Sequence, residues 1–351
     1  MKVARIAPGR RAPRSLAGAV LARDLAVLGE RWSKGRRLSA ADLDQLGRAT
    51  AGAVVPSGPV TVLVIERGDL HEDDAALRLA RAIGDRRLRT RGPAQSRVDL
   101  LAGHDGVLHV RTGLLERLNR LDPIEVFSAF DGSVVSAGDL VASVKVAPHV
   151  VDRAVVERAE RLASRGGPVV DVAPFVPSRI GVIVKESIRA PARERFERSV
   201  RAKVESLGST VASIAYVADD DAAVEEAFRA LVMGPHPVDL VLTAGGGSTD
   251  PADPFFVAIE RLGGRIVRRG VPAHPGSMLW LGRVGRTGVL GLPTCGAYSK
   301  ATAADLLLPR LLSGEPVAPR TVAKLGHGGI LTRDQRFRFP PYARELDAPE
   351  G

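Results

Sequence analysis

A single cysteine, Cys295, stands in 351 residues. That excludes an internal disulfide framework and a thiolate zinc cage, since both need several sulfurs. Aromatic residues make up only 4% of the chain, which leaves few platforms for stacked bases, so nucleic acid is not an expected partner. No uncharged apolar run reaches about eighteen residues, and the stretch 15–28 is broken by Arg23 and Asp24. Neither a membrane span nor a signal peptide is expected, and the reading places the chain in the cytoplasm. A Gly-x-x-x-x-Gly-Lys-Ser/Thr loop is missing, as is a Gly-x-Gly-x-x-Gly turn at the first strand of the second half. ATPase and dinucleotide roles lose their usual sequence support with them.

What is present is length and apolar content, 45% of residues, enough to bury two cores of ordinary size. The formal charge is +10, a field that attracts anions of any kind. Arginines alternate with Asp and Glu over 157–165 and 193–205, the pattern of solvated helix faces.

The first domain is read as 1–150, a smaller β-rich α+β unit. Residues 60–65 form an apolar strand, and Asp69 with Glu72 three residues later predicts a capping box ahead of a helix carrying Leu77, Leu79 and Ala80. Segments 98–101 and 107–110 flank Asp105-Gly106, a hairpin signal. Residues 127–146 alternate apolar and polar around Asp131-Gly132 and Gly138-Asp139, as an antiparallel unit does. A helix over 150–163, ended by Gly166-Gly167-Pro168, and a proline-punctuated stretch make 151–177 a connecting segment.

From 178 to 317 the pattern becomes α/β. Strands are expected at 180–184, 211–217 and 238–243, with helices between them carrying Phe196, Val200, Val204 and Leu207, then Val224, Phe228 and Leu231. That order predicts a three-layer, mostly parallel sheet, whose ligands sit beyond the carboxyl ends of the strands. The tail, 318–351, lacks apolar periodicity and is expected to pack loosely or wrap back on the body.

Three loops carry the candidate chemistry. Thr243 and Ala244 lead into Gly245-Gly246-Gly247-Ser248, with Asp250 following and Asp253-Pro254 opening a helix. The glycines free backbone N–H groups to approach an anionic oxygen, and Asp253 is an N-cap with proline at the first helical position. A tight turn with an ordinary cap explains the same residues equally well. The second loop, Pro293-Thr294-Cys295-Gly296-Ala297-Tyr298-Ser299-Lys300, follows a strand at 289–292; Ser299 is a helix N-cap candidate and Lys300 a counter-charge for an anion. The third is the turn at Pro275-Gly276-Ser277, which follows His274.

In this order the loops resemble the molybdopterin-binding domain of molybdenum-cofactor biosynthesis, shared by molybdopterin adenylyltransferases and molybdotransferases. The resemblance implies that the glycine loop and the Leu-Pro loop cradle a pterin and its phosphate. Val217-Ala218-Asp219-Asp220 matches the family's acidic motif after the second strand, and Asp253, with Asp250 as neighbour, its acid after the glycine loop. Asp219 and Asp253 are thereby the catalytic candidates, able to hold Mg²⁺ or orient a phosphate through it. The N-terminal segments 18–22, 34–38, 68–73 and 138–142 resemble a subgroup sometimes fused to a cytidylyltransferase.

Two departures matter: Thr-Ala-Gly-Gly-Gly and Leu-Pro-Thr-Cys-Gly replace the family's Thr-Gly-Gly-Thr-Gly and Leu-Pro-Gly-x-Pro. Binding through backbone groups survives such changes better than an organised transfer does. The implied ligand is molybdopterin or molybdenum cofactor, carried or inserted into a molybdoenzyme. An ATP- and Mg²⁺-dependent transferase and a general nucleotide-binding α/β protein are the alternatives. Related domains form oligomers, which implies a homo-oligomer. His71-Glu72-Asp73-Asp74 reads as a helix cap, because consecutive helical residues diverge. Lys185, after the first strand of the second half, is a further cation for the anion.

Overall fold

The structure is a computed structural model that describes residues 1–185, 190–246, 249–292 and 301–344. Its contacts divide the chain into two units, the first made of Met1–His104, His109–Asp131 and Ala137–Val172, the second of Asp105–Leu108, Gly132–Ser136 and Ala173–Gly351.

In the first unit, small antiparallel sheets and helix Ala40–Arg48 enclose a core around Trp32, Leu38, Leu43, Leu46 and Val62. Strands Ile124–Ser128, Leu140–Val146, Arg97–Leu101 and Arg89–Ala94 pair in that order as a four-stranded sheet, so the antiparallel unit expected over 127–146 is present. The expected hairpin at Asp105-Gly106 is not. Arg97–Leu101 pairs with Leu140–Val146 while Gly106–Val110 pairs with Val134–Val135, in a different sheet. The helix expected after Asp69 begins at Glu72. Asp69 lies in strand Asp69–His71, and the cap is His71, whose Nδ1 accepts from Asp73 N–H at 3.1 Å. Glu72 is buried and bound to His149 Nδ1 at 2.9 Å instead of closing a capping box. Helix Arg153–Ala163, read from sequence as part of a connecting segment, packs on helix Glu72–Ile83.

Asp99 gives this unit a pH signature. Burial raises its pKa, but the Ser143 hydroxyl and the Arg91 and Arg97 guanidinium groups outweigh burial and hold it at about 2. A depressed carboxylate contributes stability that is fully present above its unfolded pKa, about 4, and is lost as pH falls through the folded value. Asp99→Asn is therefore expected to cost about 1–3 kcal/mol at pH 7, with the deficit shrinking towards pH 2. Urea unfolding at both pH values checks this, and a deficit independent of pH would contradict it.

The second unit is an α/β sandwich. Its sheet contains β1 (Arg179–Val184), β2 (Thr210–Tyr216), β3 (Leu240–Ala244), β4 (Arg265–Arg269), β5 (Trp280–Val284) and β6 (Thr287–Leu292), in the order β2-β1-β3-β6-β5-β4. Ladders among β2, β1, β3 and β6 are parallel and the last two are antiparallel. Apolar alternation supplies both faces. Ile180, Val182, Leu242 and Leu290 pack with α1 (Ala190–Glu205) and α4 (Ala303–Leu312); Ile183, Val241 and Val289 pack with α2 (Asp221–Met233) and α3 (Pro254–Arg261). The parallel three-layer reading thus holds. The tail does more than wrap loosely: Val322, Leu325, Leu331, Phe339 and Ala343 are buried in the α1/α4 core.

Candidate functional site

Successive crossovers run in opposite directions about β1: β1-α1-β2 goes to one side of it, and β2-α2-β3 returns past it to the other. The carboxyl ends of β1 and β3 are therefore the topological switch point, where crossover connections diverge and leave a crevice. Lys185 follows β1 there, its N–H donating to Ala244 O at 3.0 Å.

The Lys185 side chain is buried at 5% exposure. Its Nζ donates to Asp219 Oδ1 at 2.8 Å and to Asp253 Oδ2 at 3.1 Å, and lies 5.3 Å from the centroid of the Phe255 ring. Burial pulls the ammonium's pKa down, but the hydrogen bonds to Asp219 and Asp253 more than restore it, so the net displacement is upward and the cation is kept. Asp253 is itself buried and has a second duty, with Oδ1 accepting from Phe255 N–H at 2.9 Å as the cap of α3. The Asp-Pro helix start is as expected. Asp219 is largely exposed, and its neighbour Asp220 caps α2 by accepting from Ala223 N–H at 2.9 Å.

The glycine turn closes over this triad. Gly245 adopts φ +102°, left-handed territory that favours glycine. A Cβ on Gly246 would stand 2.8 Å from both Asp253 Oδ2 and Phe255 Cδ2, so only a bare backbone passes there. Asp250 is exposed and folds its own loop, Oδ1 accepting from Ala252 N–H at 2.9 Å. Gly247, Ser248, Pro293, Thr294, Ser299 and Lys300 lie outside the described residues, as does Cys295. Helix α4 begins later than Ser299 would require: its cap is Thr302, joined to Asp305 in a capping box. The turn at Pro275, Gly276 and Ser277 packs on that helix start, with Pro275 O accepting from Ala303 N–H at 2.9 Å and a Gly276 Cβ excluded by Ala303. The His274 backbone ties this turn to the tail, its N–H donating to Gly329 O at 2.7 Å and its O accepting from Leu331 N–H at 2.8 Å.

The expected Mg²⁺ between Asp219 and Asp253 does not fit the side chains as they stand. The Lys185 ammonium occupies that place, and both Asp253 oxygens are engaged. Among the described residues, no three His, Cys, Asp or Glu side chains gather where they could hold a metal.

Of the wall beneath the triad, sequence reasoning named only Thr243, as a ligand residue, and the structure buries it completely. Ile183, Thr243, Gly291 and Trp280 are register partners across β1, β3, β6 and β5. Thr243 Oγ1 and Trp280 Nε1 are buried with no hydrogen-bond partner among the described residues. Thr243→Val keeps the shape and removes the orphaned hydroxyl, so stability is expected to rise by about 1 kcal/mol. A loss in urea unfolding would show that the hydroxyl is bonded in the free protein. Positive charge is also gathered in the first unit, where Arg117, Arg120, Arg158, Arg161 and Arg165 line a cleft of about 400 Å³. The sequence pattern set Arg158, Arg161 and Arg165 on a solvated helix face and gave no sign of their meeting Arg117 and Arg120.

No described helix is long and apolar enough to cross a membrane. Residues 182–313 match the family model "Probable molybdopterin binding domain". Among solved structures, the molybdopterin biosynthesis enzyme MoaB of Thermus thermophilus is 21% identical, with 40% of this chain and 99% of that one covered and a TM-score of 0.28. The molybdopterin biosynthesis MoeA protein of Pyrococcus horikoshii is 14% identical over 74% of this chain and 81% of its own, TM-score 0.30. A molybdopterin biosynthesis protein of Mycobacterium abscessus is 18% identical, covering 42% and 94%, TM-score 0.26. No curated protein matches the chain.

Proposed function

We propose, proceeding from the molybdopterin-binding domain matched over residues 182–313, that this chain binds molybdopterin or molybdenum cofactor beyond the ends of β1 and β3. It would act in the cofactor's biosynthesis, carriage or insertion into a molybdoenzyme. The observation that carries the reading is the buried Lys185 cation at the switch point, beneath a Gly245-Gly246 turn too tight for a side chain at Gly246. The two acids offset the ammonium's charge, so the place serves a phosphate-bearing pterin through donors, the remaining N–H of Lys185 and those of the bare main chain, from which anionic oxygens take charge-assisted hydrogen bonds.

The alternative, a Mg²⁺- and ATP-dependent adenylyl- or molybdotransferase, is less well supported, since Lys185 fills the space between the two acids. Carriage and insertion need only binding, which Lys185 and main-chain N–H groups can supply.

The test is anaerobic co-expression with a pterin-producing pathway, followed by denaturation, oxidation and measurement of pterin fluorescence. Wild-type chain is expected to retain stoichiometric pterin. Gly246→Val, whose side chain would meet Asp253 and Phe255, is expected to retain about tenfold less, a loss of roughly 1.4 kcal/mol in binding. An empty wild-type protein from pterin-rich cells would overturn the reading.

A further inference from the structure

We infer that Lys185 is a resident cation standing in for a divalent metal between Asp219 and Asp253, so that this site takes its anionic ligand without Mg²⁺. The inference rests on the pterin-binding reading for the ligand's identity, but not for the metal's exclusion.

The geometry points there from three sides. The Nζ bridges one carboxylate oxygen of each acid, at 2.8 and 3.1 Å, the place where a shared metal would sit. An ion in that place would have to displace the Lys185 ammonium from Asp253 Oδ2, because the other oxygen of Asp253 is already turned to Phe255 N–H as the cap of α3. A metal reaching the exposed side of Asp219 alone would have one protein carboxylate and a neighbouring ammonium repelling it, whereas Mg²⁺ sites of this kind use one or two carboxylates together with substrate phosphates.

Lys185 is also fixed as a structural cation is fixed. Its backbone is tied to Ala244, its side chain is buried, and the Phe255 ring lies 5.3 Å from the charge. An ammonium has three N–H donors. Two are taken by the acids, and the third has no partner among the described residues. That donor is the one we assign to the ligand's anionic oxygen. Asp219 and Asp253 then act as positioning residues that hold the cation, not as metal ligands.

The experiment uses the full chain in two arms. In the first, protein freed of ligand is titrated with Mn²⁺ alone and free ion is followed by electron paramagnetic resonance. Wild type is expected to bind no more Mn²⁺ than Asp219→Asn does. Lys185→Met, which opens the space between two uncompensated acids, is expected to bind it about tenfold or more tightly than wild type does. Circular dichroism checks that this variant folds; if it does not, the comparison of wild type with Asp219→Asn still decides. Tight wild-type Mn²⁺ binding that Asp219→Asn abolishes would overturn the inference.

In the second arm, pterin retained by wild type from pterin-producing cells is compared after washing in EDTA and in Mg²⁺. Less than about a twofold difference is expected, well under the tenfold that one lost charged contact costs. Pterin kept only in Mg²⁺ sinks the inference and leaves the pterin-binding reading standing. No pterin in either wash, with no Mn²⁺ bound, sinks that reading while Lys185 still stands where the metal would be.

Discussion

Gly291→Ala is expected to destabilise the second unit by about 3 kcal/mol, the upper end of what an added core methyl costs where nothing can give way. A Cβ at Gly291 would lie 1.9 Å from Cε2 and 2.0 Å from Nε1 of Trp280. The indole cannot retreat, because it is fully buried, packed edge-on against Phe256 with centroids 5.0 Å apart and tilted against Phe255 at 6.2 Å. The strain would reach the site. Gly291 sits between Trp280 and Thr243 in register, and Phe255 donates its N–H to Asp253, the cap of α3. Urea unfolding followed by tryptophan fluorescence measures the effect. Trp32, the other tryptophan, lies in the first unit, so a Trp32→Phe background isolates the signal. A change within about 0.5 kcal/mol, the range of an ordinary surface substitution, would show that the indole is not held against β6.

Lys203→Met is expected to be as damaging, by about 3–5 kcal/mol, for an electrostatic reason. Lys203 Nζ donates to Asp305 Oδ1 at 2.7 Å, and Asp305 is 1% exposed. Asp305 Oδ2 is held by Thr302 N–H at 2.9 Å as the second half of the α4 capping box. The cavity beside this pair is about 20 Å³ and otherwise lined by Val, Leu and Ala, room for one water and no more. With the ammonium gone, a buried carboxylate is left charged with no cation beside it, held only by the Thr302 N–H and the neighbouring Tyr342 hydroxyl. Adding Asp305→Asn removes the charge and keeps an acceptor for the cap, so the double variant is expected to recover roughly half or more of the loss. Equal stability of the single and double variants would mean that the loss does not come from the stranded charge.

These two effects also mark what could be read without a structure. The β-α-β-α-β order was legible because each strand is a short apolar run and each helix repeats its apolar residues every three or four positions, at Phe196, Val200 and Val204 for instance. The start of α3 was legible to the residue, since Asp-Pro acts through local chemistry alone. Readings that depended on remote partners fared differently. Asp105-Gly106 is a turn sequence between two strands, yet each strand finds its mate elsewhere, a choice made by tertiary packing. His71 caps its helix with an imidazole nitrogen, outside the hydroxyl and carboxylate acceptors that mark such starts, so the signal fell two residues early on Asp69. The tail's core residues, Val322, Leu325, Leu331 and Phe339, follow no period because short turns, not one long element, deliver them. Lys185, Asp219 and Asp253 were each visible as candidates. Their union was not, since the ion pairs close over 34 and 68 residues of chain.

The measurement that tests the account most directly is a crystal structure of the full chain grown anaerobically with its pterin. The account predicts an anionic oxygen of the ligand about 3 Å from Lys185 Nζ, further hydrogen bonds from main-chain N–H groups of the Gly245-Gly246 turn, and no metal between Asp219 and Asp253. A pterin seated away from the ends of β1 and β3, or seated there on Mg²⁺ with Lys185 turned aside, would contradict it.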